Sequence, residues 1–176
     1  MSEVVKGHRE RAPKEVSFYV IVTSDTLYDL SRRGERVKEE HSEKIRRIAE
    51  AESYIFKGSS IVPNNPLAIK QEIEKVIDCV KPAIIITTGG TGLSDKDVTV
   101  EVVEGLFEKK IPGFGELLRL LSYNEIGSAA MLTRATAGVY KKTVIFSIPG
   151  SPHAVELALK RLIVPEARHI VAHVMG

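Results

Sequence analysis

The chain reads as an α/β fold: three layers, α/β/α, with a mostly parallel central sheet. Three observations predict it. Residues 16–23 (VSFYVIVT), 83–88 (AIIITT) and 144–148 (VIFSI) are strand-like runs without polar alternation. Strands of that kind are buried on both faces. Segments of helical period separate them, and such alternation implies parallel strands covered by helices. The strand exits carry Gly, Pro and Ser, as expected where ligand loops gather at the carboxyl edge of an open sheet.

The elements follow in order. Residues 1–14 are polar, charged and interrupted by Pro13, and read as an arm outside the core; residues 15–176 read as a single domain. Residues 16–23 form the first strand and 24–33 a loop. Residues 35–53 place Val37, His41, Ile45, Ile48 and Ala49 at helical spacing, a charged helix with a modest apolar stripe. Residues 54–62 form a second, weaker strand. Asn65 caps the next helix and Pro66 sits at its first position. Ile69, Ile73, Val76, Ile77 and Val80 share a face, and Pro82 stops the helix.

After the strand at 83–88 come a loop to Lys96 and a helix at 98–108. Phe114, Leu117, Leu118 and Leu121 mark a helix over 113–123. Residues 135–148 read as two strand-like runs around Lys141-Lys142, a hairpin. A loop at 149–152, a helix at 153–162 and a short helix opened by Pro165 complete the chain.

The composition excludes several classes. Among 176 residues, 25 Lys and Arg face 23 Asp and Glu, a net charge of +2. That excludes a strongly basic nucleic-acid binder and a polyacidic tail. Hydrophobic residues are 43%, enough for one core. The single cysteine, Cys79, excludes a disulfide framework and a multi-Cys zinc site; its apolar company reads as core. No run approaches the ~18 apolar residues of a membrane span, and no secretory apolar stretch precedes Val16. The expectation is a soluble, cytoplasmic protein with neither nucleic acid nor membrane as partner.

Two strand-to-helix turns carry the chemistry. Thr88-Gly89-Gly90-Thr91-Gly92 can bring main-chain N–H groups against an anion, or can be simply a tight turn. It is neither a Walker-type loop nor a dinucleotide fingerprint, since Asp95 stands where the last glycine would. Asp97 beyond it is either a helix N-cap or, if Thr99 caps, a free carboxylate suited to Mg²⁺. Pro149-Gly150-Ser151-Pro152 is explained by capping alone, or by a second anion at a helix N-terminus. Arg134 is a phosphate clamp or a surface arginine. His169 and His173 share a helix face without a third ligand and read as solvated. Ser24 and Asp25 leave the first strand at the same edge.

These residues resemble a known family. Thr87–Val103 (TTGGTGLSDKDVTVEVV) is similar to the signature of the MoaB/MogA proteins of molybdenum cofactor biosynthesis. The likeness continues through Ile126-Gly127, residues 132–138 (LTRATAG) and residues 147–155 (SIPGSPHAV), with Val22-Thr23-Ser24-Asp25-Thr26 like the first-strand motif. It spans about 16–164 and favours the MoaB branch.

The resemblance implies an adenylyltransferase that joins molybdopterin to AMP from MgATP, with Asp97 as metal ligand. Ser24, Asp25, Thr88, Gly89, Gly90, Thr91, Gly92, Arg134, Gly150, Ser151 and Pro152 would bind the substrates. It also implies a MoeA-type partner and a homotrimer or hexamer. Phe107, Ile111, Phe114 and Leu118 are candidates for the apolar contact.

The sequence departs from the family where an acidic residue commonly follows Val62-Pro63: here it is Asn64, a catalytic position by analogy. The glycine expected after the first loop is also missing from Glu40-His41-Ser42-Glu43. These departures leave a non-catalytic molybdopterin-binding scaffold as the alternative. A flavodoxin-like module would not need these loop motifs.

Overall fold

The computed structural model describes residues 15–35, 37 and 39–176. The proposed arm, residues 1–14, lies outside them. The elements are β1 (Ser17–Thr23), α1 (Asp25–Arg32), α2 (Glu40–Ala51), β2 (Ile55–Val62), α3 (Pro66–Lys75), β3 (Ile84–Thr88), α4 (Thr99–Leu106), β4 (Lys109–Lys110), α5 (Pro112–Ile126), β5 (Thr136–Tyr140), β6 (Thr143–Ile148), α6 (Pro152–Ala158) and α7 (Val164–Met175). A π turn, Val76–Val80, extends α3; a 3₁₀ helix, Gly127–Leu132, follows α5; a second π turn, Leu159–Ile163, joins α6 to α7.

The sheet order is β2-β1-β3-β6-β5-β4. The first four strands are parallel, and β5 and β4 each run antiparallel to the strand before them in that order. Both faces are covered, which explains the lack of polar alternation. On one face Phe18, Val20, Ile84, Ile86, Val144 and Phe146 pack with α2, α5, α6 and α7. On the other, Ile21, Ile85 and Ile145 pack with Ile69 and Ile73 of α3 and Val103 of α4. Burying an aliphatic side chain of this size contributes about 1.5–3 kcal/mol. The β5–β6 hairpin turns through Lys141 and Lys142 at φ 47° and 60°. Two positive φ values suit the right-handed twist of a two-residue hairpin, though lysine is a costly choice there.

Several expectations need correction. Residues 24–33 are not a loop: α1 occupies 25–32. Ser24 caps it, accepting from Leu27 N at 3.3 Å, and Asp25 and Arg32 suit the helix dipole. No α1 residue is buried, so no apolar stripe revealed the helix.

The helix expected from residue 35 begins at Glu40. The Glu39 carboxylate caps it, accepting from His41 N at 2.7 Å and Ser42 N at 2.8 Å. Cys79 is exposed, because the π turn rotates it away from the core side taken by Val76 and Ile77. The last helix is not short but runs twelve residues.

Phe114 and Leu118 are core, and Phe107 and Ile111 are half-buried. The apolar surface of α5 is instead Leu117, Leu120, Tyr123 and Ile126, each at least half exposed. Asn65 as cap and Pro66 at the first turn are as expected, with Ala68 N donating to Asn65 Oδ1 at 3.0 Å.

Candidate active site

The exits of β1, β2, β3 and β6 meet at one edge. The β3 turn is pressed against its neighbours by the lack of side chains. A Cβ on Gly89, at φ +89°, would stand 2.4 Å from the Thr23 carbonyl oxygen. One on Gly90, at φ +61°, would stand 2.3 Å from Asn64 Oδ1 and 2.4 Å from Thr99 Oγ1. One on Gly92 would stand 2.6 Å from Asp97 Oδ2, and one on Gly150 would stand 3.3 Å from Gly89 Cα. The space these glycines leave is thus filled by protein, and the turn is tight because four strand ends converge on it. Thr88 is buried, and its hydroxyl donates to the Pro149 carbonyl at 3.4 Å. That bond ties the β3 exit to the β6 exit.

Asp97 fits neither sequence-based alternative. It does not cap α4, whose N-cap is Val98 with no side-chain bond. It is not free either. Ser94 Oγ donates to Asp97 Oδ2 at 2.6 Å and Ser94 N at 3.3 Å. The Ser94 hydroxyl holds the Asp97 carboxyl below the usual carboxylate range. Burial opposes this, and the backbone N–H groups of Ser94 and Gly92 reinforce it. Asp97 is therefore ionised, half-buried and fixed in orientation.

Thr99 does not cap; it is the first residue of α4, wholly buried, with its N–H on the Gly90 carbonyl at 2.9 Å. Arg134 braces the turn: Nη1 donates to the Gly92 carbonyl at 2.7 Å, and Nη2 pairs with Glu101.

The second turn realises the capping reading. Ser151 Oγ accepts from Ala154 N at 3.1 Å and Pro152 opens α6. The hydroxyl proton still has a direction free for a ligand. Between the two turns lies a cavity of about 280 Å³, bounded by Gly92, Arg134, Pro149 and Ser151, with Ile126 and Leu132 as apolar wall. A hollow of about 690 Å³ at the opposite end of the sheet has Lys57, Lys81 and Lys141 on its rim but no glycine turn.

Sequence reasoning missed four participants. Ser94 lies three residues before Asp97, a spacing typical of a local side-chain-to-backbone turn, and was findable. Thr23 carried no local signal, and Thr99 reads in the sequence only as a possible helix cap. Their hydroxyls are buried without a partner among the described residues, as is Asn64 Oδ1. His153 pairs with Glu125 of α5 at the cavity mouth, a contact that depends on packing.

A glycine turn braced by arginine, an ionised carboxylate and a capped helix N-terminus meet at one parallel-sheet edge, the edge at which open α/β proteins bind their ligands. Residues 19–169 match the family described as "Probable molybdopterin binding domain". Molybdenum cofactor biosynthesis protein B of Bacillus subtilis is 39% identical over 171 residues, covering 97% of this chain and 96% of that protein. A Methanocaldococcus jannaschii protein named probable molybdopterin adenylyltransferase is 36% identical over 160 residues, 91% of this chain and 94% of its own. The crystal structure of a molybdenum cofactor biosynthesis protein B superposes with a TM-score of 0.82 at 36% identity, covering 93% of this chain and 98% of that one. The chain belongs to this molybdopterin-binding family of molybdenum cofactor biosynthesis proteins.

Proposed function

We propose that the protein is a molybdopterin adenylyltransferase, the activity named for its Methanocaldococcus relative. A terminal phosphate oxygen of molybdopterin attacks the α-phosphorus of ATP. The new P–O bond gives adenylyl-molybdopterin, and the bond to the β-phosphate breaks with its electron pair leaving on pyrophosphate. The attacking phosphate is already anionic at neutral pH, so no side chain has to remove a proton. Catalysis rests on positioning and charge neutralisation.

The observation that carries this reading is the meeting of the two strand-to-helix turns, with a Gly150 Cβ position only 3.3 Å from Gly89 Cα. One edge can then hold both phosphorylated reactants. The Gly89–Gly92 main chain and Arg134 would line one, and Ser151 with the α6 N-terminus the other. Ile126 and Leu132 offer an apolar wall to a flat ring.

The carboxylates fit a Mg²⁺ that arrives with ATP, because such an ion needs only one or two carboxylates besides phosphate oxygens and water. Asp97 at Gly92, held ionised by Ser94, would take that role. Among the described residues no group of three or more His, Cys, Asp or Glu is placed to hold a metal by itself. That fits an ion shared with the nucleotide.

The exposed Leu117, Leu120, Tyr123 and Ile126 of α5, with Met131 and Leu132, support assembly into a homotrimer or hexamer. The product would pass to a MoeA-type metal-insertion protein in the cytoplasm. Among the described residues no helix is long and apolar enough to cross a membrane.

The test is pyrophosphate release from ATP with molybdopterin, run on the wild type and Asp97→Asn. The variant should lose about 3–4 kcal/mol of transition-state stabilisation, several hundred-fold in turnover, while melting close to wild type. Equal turnover within threefold at saturating Mg²⁺ removes Asp97 from the mechanism. A wild type that binds molybdopterin but releases no pyrophosphate is a scaffold instead.

A further inference from the structure

Asn64 faces away from the role that its place in the chain suggests. Its N–H donates to Asp25 Oδ1 at 2.8 Å, and its Nδ2 reaches Asp25 Oδ2 at 3.4 Å. The backbone N–H and one of the two Nδ2 hydrogens are thus spent on one carboxylate. The amide can point only this way, since turning Oδ1 toward Asp25 would set acceptor against acceptor. Oδ1 is directed inward, buried and without a partner among the described residues. It faces Thr99 Oγ1, also buried and unpaired, across the space a Gly90 side chain would occupy. Oδ1, the one carboxamide atom that could ligate a cation, is thus not left for an ion on the solvent side.

Asp25 is different. It is exposed at the first position of α1, and its two oxygens have about four lone-pair sites, of which Asn64 engages two.

We propose that Asp25 is the carboxylate this site presents, beside Asp97, to the Mg²⁺–phosphate portion of the nucleotide, and that Asn64 is the positioning residue that holds it. The missing charge at position 64 is thereby supplied from the neighbouring strand exit. Asp25 reaches the turn through Asn64 at Gly90, while Asp97 stands at Gly92, so the two carboxylates approach the turn at different glycines. An aspartate at position 64 would set a second carboxylate against Asp25 Oδ2 and replace a donor with an acceptor. The inference rests on the proposed use of MgATP and names the residues that receive it.

The experiment compares Asp25→Asn, Asn64→Asp, Asn64→Ala and the exchange Asp25→Asn/Asn64→Asp, each checked by thermal melting. Calorimetry measures affinity for ATP with and without Mg²⁺, and initial rates are taken against Mg²⁺ concentration. Asp25→Asn should weaken MgATP binding about 10–100-fold, the range seen when a metal site loses a supporting group, with little effect on Mg²⁺-free ATP. Asn64→Ala should raise the apparent Mg²⁺ requirement while leaving Mg²⁺-free ATP binding near wild type, which a purely structural role would not do. Asn64→Asp should weaken MgATP binding tenfold or more. The exchange should recover most of that loss, because it restores one donor and one carboxylate.

Wild-type MgATP affinity in Asp25→Asn overturns the proposal. So does tighter Mg²⁺ dependence in Asn64→Asp alone, which would make position 64 the ligand. Asp25-dependent MgATP binding without pyrophosphate release leaves this inference standing and removes the adenylyltransferase reading. Wild-type protein that does not bind MgATP removes both.

Discussion

Gly89→Ala tests whether the β3 turn is held by backbone packing. At Gly89 the backbone has φ +89°, and an added Cβ would lie 2.4 Å from the Thr23 carbonyl oxygen and 3.4 Å from its carbon. The obstacle is main chain at the end of a central strand, so no side chain can swing away to relieve it. Left-handed backbone costs a non-glycine residue about 1–2 kcal/mol. Overpacking a close-fitted site costs about 1–3 kcal/mol more. The expected destabilisation is therefore about 2–5 kcal/mol.

For a domain of this size each kcal/mol moves the melting temperature by about 2–4 °C, giving a fall of about 4–20 °C. Gly105→Ala is the internal control. Gly105 lies within α4, and nothing stands within 4 Å of its added Cβ. The same atom there should stabilise by about 0.5–1 kcal/mol, through helix propensity and a less flexible unfolded chain. Urea unfolding and calorimetry at one fixed protein concentration measure both. A Gly89→Ala protein melting within 2 °C of wild type would refute the reasoning, as would equal effects at the two sites.

Two further outcomes are expected. Stability should fall as pH drops from about 4.5 toward 2. The Arg46 and Arg47 hydrogen bonds bring Glu43 from 4.5 to about 2, and those of Lys160 and Lys44 bring Glu156 to about 2. A folded-state pKa below the unfolded one gives stability present above 4.5 and lost as the carboxylates protonate. Glu156→Gln should flatten the melting-temperature profile in that window, and high salt should do the same because these pairs are exposed. An unchanged profile removes the pairs from the account. If the chain assembles through α5 as proposed, wild type should sediment as an oligomer and Leu120→Glu as a monomer in analytical ultracentrifugation, since Leu120 is 57% exposed on that face. An unchanged sedimentation coefficient removes the α5 face from the proposed assembly.

The elements that the sequence by itself determined are those whose cause is local. Buried parallel strands are uniformly apolar because both faces are covered, so β1, β3 and β6 were readable from composition. Gly89, Gly90 and Ser151-Pro152 announce their turns because positive φ and capping depend on the residue itself and its near neighbours. Even the Ser94–Asp97 bond, three residues long, was within reach.

Helix α1 was not, because without a buried residue it leaves only its caps as a sign. Nor was the side on which the glycine turn needs its space, which is toward Thr23, Asn64 and Thr99. Only the tertiary structure decided the partners. Asp25 meets Asn64 across 39 residues and Arg134 meets Gly92 across 42. Those meetings follow from the strand order β2-β1-β3-β6, which brings four distant chain segments to one edge. A side chain's spare hydrogen bonds can be counted from its type, but where they go depends on which strand lies next to it.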